Sequence, residues 1–387
     1  MIELNKSNWN EVAIGFIADE ISEKVLSPEK SGCEKFIRPE DLEVGELFVE
    51  NFRSPKDIGS GKFCYEGDII FARRSVSVSQ FKRRSSVLTF DAVCSDELTV
   101  IRENEKEITK GFLNLILNTT KLWDYAISKS VGSVSKRIKW EDLAKFTFLL
   151  PPKKLQEKIL SSFLTLEELI SQAEQQEKNL KALQKTLSNG LASNQPSFGN
   201  LLNNKNCNAK TFGQIADCIE QHDKHKNDVS RFIGLENLEP ENLIISTWGN
   251  IADGTTFTKR FTKGDVLFGK RRAYLKKVAI ADFDGICSGD ILVLRAKEKV
   301  MHPELLPFYA SAEAFIQHAI STSAGSLSPR TKWRDLSSFE VAIPDLKTQE
   351  KIVEVFQQLQ ITLDQIKAQK LTLKNLKQKL LNEILGD

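Results

Sequence analysis

The chain has 387 residues, with 54 Lys and Arg against 52 Asp and Glu and a formal net charge of +2. That is enough chain for two compact domains, and so balanced a charge neither demands nor excludes nucleic acid, so the placement of charge must decide. The 41% apolar content fits a globular protein, while no run of 18 apolar residues offers a transmembrane helix and the opening MIELNKSNWNEV lacks the basic flank and apolar core of a signal peptide.

Taken in chain order, the first half opens with IAD at 17–19 and FIRPEDLEVGEL at 36–47. GSGKF at 59–63 resembles a phosphate loop, but the leading glycine is missing and Phe63 stands where a magnesium-binding Ser or Thr belongs. GDIIF (67–71) and VCSDELTVIR (93–102) are short apolar runs bounded by Gly, Asp and Ser, which predict buried strands. Between them, Arg73, Arg74, Lys82, Arg83 and Arg84 form a basic run around Phe81 with no acidic residue inside it. Residues 108–128 predict one amphipathic helix, and Pro151-Pro152 set the start of a much longer one, since proline is tolerated in a first turn.

In that long helix Ile159, Phe163, Leu166, Ile170, Ala173, Leu180 and Leu187 recur in steps of four and three, interrupted at Glu177 and Gln184. This is the seam of a coiled coil, spanning roughly 42 Å at about 1.5 Å per residue. ASNQPSFGNLLNNKNCN (192–208), rich in Asn, Ser, Gly and Pro, predicts a linker.

The second half then repeats the first. GSVSKRIKWEDLAKFTFLLPPKKLQEKI (132–159) aligns without gaps to GSLSPRTKWRDLSSFEVAIPDLKTQEKI (325–352) at an offset of 193, with 15 identities in 28 positions. FIGLENLEPENL (232–243), GDVLF (264–268), ICSGDILVLR (286–295) and a helix at 303–321 follow in the same order as their counterparts. A second seam, Ile352, Phe356, Leu359, Leu363, Ile366, Leu373 and Leu380, breaks at Lys370 and Lys377. The seams are narrow, so each helix needs a partner; the nearest is its own duplicate, and a whole domain between them lets the pair run antiparallel.

A second basic run, Lys270, Arg271, Arg272, Lys276 and Lys277 around Tyr274, follows GDVLF where the first follows GDIIF. Basic loops with an aromatic inside suit phosphates and base edges, and their recurrence in a duplicated frame favours nucleic acid over a solvated strand edge. Arg137 with Lys139 and Arg330 with Lys332 flank the repeated GSxS turns, where a contact and a plain structural turn are equally good readings. Catalytic chemistry is sparse. Cys207, Cys218, His222 and His225 match no common zinc spacing, and Cys94 and Cys287 read as core residues. The six cysteines form no tight pairs, which fits reduced thiols in a cytoplasm, and the Asn/Asp-Pro-Pro-aromatic tetrapeptide of adenine methyltransferases is absent.

GSxSxRxKWxDLxxFxxxxP, followed by a QEKI helix with heptads and then repeated once, resembles the DNA-specificity (S) subunit of type I restriction–modification systems. The resemblance covers nearly the whole chain, most specifically 132–190 and 325–385; FIRPEDL in the first half departs from the usual Gly-Leu-Glu seen as GLE at 234–236. It implies an α+β architecture of two duplicated mixed target-recognition domains, 1–151 and 209–344, separated by two long antiparallel coiled-coil helices, 152–191 and 345–387, in a pseudo-two-fold arrangement. It further implies a non-catalytic cytoplasmic subunit with no cofactor or metal of its own. The expected partners are double-stranded DNA, two modification (methyltransferase) subunits that bind S-adenosylmethionine, and restriction subunits using ATP and Mg where a system has them. The site would be bipartite and non-palindromic. A coiled-coil adaptor without DNA affinity and a self-contained methyltransferase or nuclease are the alternatives.

Overall fold

The computed structural model describes residues 5–74, 84–132, 136–193, 195–202, 207–226 and 228–386. The chain divides into two compact units, residues 1–175 with 367–387 and residues 176–366. Each unit holds one globular domain with segments of both long helices. The domain boundaries expected at 151 and 344 mark where those helices begin, but the units divide within the helices.

In the first unit the strands are β1 (Asn10–Ala13), β2 (Ala18–Ile21), β3 (Glu23–Val25), β4 (Phe36–Ile37), β5 (Gly61–Cys64), β6 (Ile69–Ala72), β7 (Ser85–Val87), β8 (Ala92–Cys94), β9 (Leu98–Glu103) and β10 (Thr147–Leu150). One sheet runs β2-β9-β6-β7, another β3-β5-β8-β4, and β1 pairs antiparallel with β10. The GDIIF strand β6 is buried throughout because it lies between two cores. Ile69 and Phe71 face a helical core with Phe112, Ile116 and Trp123, while Ile70 and Ala72 face a sheet core with Cys64, Cys94 and Val100. Successive side chains point to opposite faces, so a strand covered on both sides needs an unbroken apolar run.

The second unit repeats this plan with β11 (Cys207–Thr211), β12 (Ala216–Ile219), β13 (Arg231–Ile233), β14 (Gly249–Asn250), β15 (Lys259–Phe261), β16 (Val266–Gly269), β17 (Val278–Ile280), β18 (Gly285–Cys287), β19 (Ile291–Ala296) and β20 (Glu340–Pro344). Its sheets run β12-β19-β16-β17 and β14-β13-β18-β15, with β11 paired to β20. Val266 and Phe268 face the helical core, and Leu267 faces the sheet core. The GD motif is a structural lock. Arg102 donates from both Nε and Nη2 to Asp68 at 2.7 and 2.8 Å, and Arg295 does the same to Asp265 at 2.7 and 2.8 Å. Gly15 and Gly213 are needed where the chain passes closest to itself: a Cβ there would meet the Cβ of Ala144 at 3.1 Å and of Ser337 at 3.0 Å.

Three expectations are corrected. The runs 93–102 and 286–295 are each two strands in different sheets, broken at the Ser-Asp-Glu and Ser-Gly-Asp turns. The single helices expected at 108–128 and 303–321 are each split: α1 (Phe112–Leu117) from α2 (Thr120–Lys129), and a last pair, Leu306–Ser311 and Glu313–Ser321, at Ala312. Thr119 causes the first break by turning extended and accepting from Leu122 N, an N-cap bond that outweighs helix continuity. Nor are the described residues of 192–208 a free linker. Ala192, Phe198 and Leu202 are buried in the second unit's core, Phe198 meets Phe356 edge-on at 5.3 Å, and β11 begins at Cys207. These three apolar anchors outweigh the turn-forming composition.

The long helices span Lys153–Leu191 (39 residues) and Leu346–Leu385 (40 residues). Of the residues expected in the seams, Ile159, Phe163, Ile170, Ile352, Phe356 and Leu363 are buried, and Leu166, Leu180, Leu359 and Leu373 are half-buried. In the first unit the two segments pack antiparallel. Leu381 and Leu385 share a core with Ile159 and Phe163, Lys377 bonds Glu167 at 2.6 Å, and Lys374 bridges Glu174 at 3.0 Å and Glu46 at 2.9 Å. In the second, Leu187 packs into the core that holds Ile352 and Phe356.

Both ends of each helix are fixed by buried or docked amides. Gln156 accepts from Thr109 N at 2.8 Å and donates to Pro151 O at 2.7 Å; its counterpart Gln349 accepts from His302 N at 2.8 Å and donates to Pro344 O at 2.9 Å. At the far ends, Asn382 accepts from Thr120 N and Asn189 from Glu313 N, both at 2.9 Å. The two asparagines satisfy first-turn N–H groups that a helix leaves open, and the two glutamines hold loop N–H groups just before one.

The Lys377–Glu167 pair has side chains only 8% and 11% exposed, and burial pushes the Glu167 carboxyl up despite the lysine beside it. At an offset of 193 the second unit has Gln184 and Gln360 instead. We expect Lys377→Leu to cost about 3 kcal/mol of stability, because it strands a buried carboxylate, and Glu167→Gln with Lys377→Gln to recover most of that loss. Chemical denaturation of the three proteins checks this, and a double variant no better than the single would contradict it.

Candidate nucleic-acid interface

The basic loop of the second domain joins β16 to β17. Ala273 is buried and anchors a single 3-10 turn, bracketed by Arg272 and Lys276 in the left-handed region at φ 54° and 51°. Such backbone is uncommon for side-chain-bearing residues and here arches the loop outward. Its rim is zipped to the GSLSPR turn. Thr331 N donates to Lys270 O at 3.1 Å, Arg272 N donates to Pro329 O at 2.8 Å, and Arg271 pairs with Arg330 as an antiparallel bridge. Two features far apart in sequence thus form one surface.

An acid from the turn after β18 organises it. Asp290 receives Arg330 Nε at 2.7 Å and Arg271 Nη1 at 3.5 Å, while Arg271 Nε also donates to Ser328 Oγ. The Arg330 hydrogen bond, with Arg271 behind it, holds the Asp290 carboxyl below its ordinary value. What stays exposed is Arg272, Tyr274 (50%), Leu275 and, on the facing turn, Leu327 (90%).

The first domain shares part of this wiring among its described residues. Ile138 N donates to Arg73 O at 3.1 Å, Arg74 bridges Arg137, and Arg74 pairs with Glu97, the counterpart of Asp290. Arg73 donates to Asp96 O at 2.7 Å and lies 3.9 Å from Glu20. Arg84 donates to Pro39 O at 3.1 Å. Lys82 and Arg83, with Phe81, lie outside the described residues.

The basic runs, free of acids in sequence, therefore meet acids in space. Lys276 bonds Glu313 at 2.8 Å and Glu241 at 3.4 Å, and the Glu313 bond raises its pKa. Lys277 donates to Leu235 O at 2.6 Å. These two ammonium groups serve the domain's own packing, whereas Lys270, Arg272 and Tyr274 have no carboxylate partner among the described residues. Lys62 of the phosphate-loop lookalike lies in β5, where its buried ammonium donates to Leu98 O at 2.8 Å and burial pulls its pKa down. Its equivalent Lys259 is buried too and bonds Glu220 at 2.9 Å.

Sequence reading missed the acids at 97 and 290, and the amides at 156, 189, 349 and 382. The signal was present: each pair sits at the offset of 193. No helix among the described residues is long and apolar enough to cross a membrane.

A family model described as type I restriction modification DNA specificity domain matches residues 7–182 and again 218–375. The chain belongs to that family. The type I restriction enzyme EcoDI specificity subunit of Escherichia coli is 32% identical over 120 residues, an alignment covering 31% of this chain and 26% of that protein. Among solved structures, the type I restriction–modification S subunit from M. genitalium superposes with a TM-score of 0.54 at 12% identity, covering 100% of this chain and 98% of that one. A chain from a type I R-M system, described for its complex assembly and conformational transition, gives 0.61 at 16% identity and 97% coverage of both. At these identities the superpositions establish the fold.

Asp290→Asn should loosen the loop zipper. Because the folded carboxyl titrates below its ordinary 3.8, its contribution is present above that value and is lost as pH falls through the folded value. Thermal melts of wild type and variant should differ at pH 7 and converge in acid; parallel curves at all pH values would contradict the wiring.

Proposed function

We propose that this chain is the DNA-reading subunit of a type I restriction–modification complex. Each domain contacts one half of a bipartite, non-palindromic site, and the chain directs adenine-N6 methyltransferase subunits, and restriction subunits where the system has them, to that site. The observation that carries this is the doubled constellation of basic loop, GSxS turn and organising acid. In both domains the described strand end that opens the basic loop is joined to the residues after the GSxS turn beside a counterpart acid, while the loop sequences differ, as two readers of different sequences require. Phosphate contacts position a protein and base contacts specify, and an arginine on an exposed loop can do either. Methyl transfer needs the adenine extruded into a pocket, which falls to the partner with its S-adenosylmethionine. In this reading the paired helices fix the length of the unread spacer between the half-sites.

The test maps N6-methyladenine across the host genome with and without this gene, then measures DNA binding by the complex with its methyltransferase. The expected result is loss of methylation at one asymmetric two-part motif. Arg272→Ala should weaken binding about tenfold across sequences and reduce the salt slope by about one. Unchanged methylation together with no salt-dependent binding would overturn the reading.

A further inference from the structure

FIRPEDLEVGEL and FIGLENLEPENL align at an offset of 196, and the same offset extends one residue upstream and several downstream. Upstream it equates Lys35 with Arg231, and downstream it equates Phe52 with Trp248. In the first domain Phe52 meets Phe90 edge-on, with ring centroids 5.4 Å apart at 71°, and the Lys35 ammonium lies 3.8 Å from the Phe90 centroid and 5.0 Å from that of Phe52. In the second, Trp248 meets Phe283 at 5.7 Å and 67°, and the Arg231 guanidinium lies 4.2 Å from Trp248 and 4.8 Å from Phe283. The same three-part cluster is built twice from different residues. Phe52 is 48% exposed and Trp248 40%.

A cation on an aromatic face is held in place at modest cost in side-chain freedom, and its attraction to the ring leaves its N–H groups open. Four other arginines of these domains are held by carboxylates instead: Arg53 by Asp41, Arg102 by Asp68, Arg260 by Asp223 and Arg295 by Asp265. Lys35 and Arg231 have none among the described residues. A half-exposed, preorganised cation whose donors no protein acid takes up is complementary to an anion, and a planar guanidinium fits two phosphate oxygens at once. A purely stabilising cluster has no need of a cation at that position in both copies.

We propose that Lys35 and Arg231 are equivalent phosphate-gripping residues, one in each domain, that hold the DNA backbone in addition to the basic loops. This rests on the DNA-reading function proposed above. The experiment compares the methyltransferase complex carrying wild-type chain, Lys35→Gln, Arg231→Gln and Arg231→Lys on a duplex bearing the mapped site, by salt titration and by ethylation interference at the phosphates. Each Gln variant should lower the slope of log K against log salt by about 0.9, weaken binding severalfold and erase one interference position, each in a different half-site. Arg231→Lys should keep the slope. It also keeps the proposal testable should Arg231→Gln lower the melting temperature. Wild-type slope and wild-type interference in both Gln variants would overturn this inference alone; absence of salt-dependent binding by the wild-type complex would overturn the functional reading with it.

Discussion

A helix of about 40 residues with a two-per-heptad apolar stripe buries too little surface to fix its own direction. Direction here comes from the ends. Gln156 and Gln349 sit almost wholly buried at the first turns, each joining a loop N–H to the proline carbonyl that precedes the helix. Removing either amide would leave buried backbone groups without partners, which costs more than the bond itself contributes. Asn382 and Asn189 close the far ends on the first turn of a domain helix, so each end of each long helix is fixed to the domain of its own unit. The packing of Phe163 beside Leu381 and the docking of Phe198 on Phe356 build on those fixed ends.

The duplication is kept in these anchors and abandoned between them. Lys377 and Glu167 place a buried charge pair in the first unit where the second has Gln184 and Gln360. A buried pair is weak evidence for stability, since desolvation offsets most of its attraction, but it penalises any register that separates the charges. Two otherwise similar seams thereby become distinguishable, and a helix that slipped by one heptad would strand Lys377 or Glu167. The neutral glutamines impose no such penalty, so register is specified more strongly in one unit than in the other.

Much of the fold was legible because duplication repeats whatever is internally satisfied. The GD motif recurs since Asp68 and Asp265 must each receive a strand arginine, and the apolar strands recur since both their faces are covered. The breaks were not legible. Ser95–Glu97 and Ser288–Asp290 look like interruptions within one strand until the second sheet claims one side. Thr119 reads as an ordinary helix residue until its hydroxyl caps Leu122 N. The linker failed for a related reason: composition reports turn propensity, while Phe198 and Leu202 are decided by the tertiary surface that receives them. In the candidate site, the basic runs were visible but their counter-charges were not, because Glu97, Asp290 and Glu313 lie 23, 19 and 37 residues from the arginines and lysine they bind.

That separation of satisfied from unsatisfied cations is what divides frame from reader. Arg271, Arg330, Lys276 and Lys277 are committed to acceptors within the domain, so their loss would be felt first as a loosened loop. Arg272, Lys35 and Arg231 are held in place, by backbone geometry or by an aromatic face, without a carboxylate to neutralise them. A protein that must grip a polyanion in a fixed register needs both kinds, because an unbraced cation pays its ordering entropy at binding and a neutralised one offers no charge. The braced, unneutralised cation is the arrangement that satisfies both demands, and Arg231 on Trp248 and Lys35 on Phe90 show it in both halves of the chain.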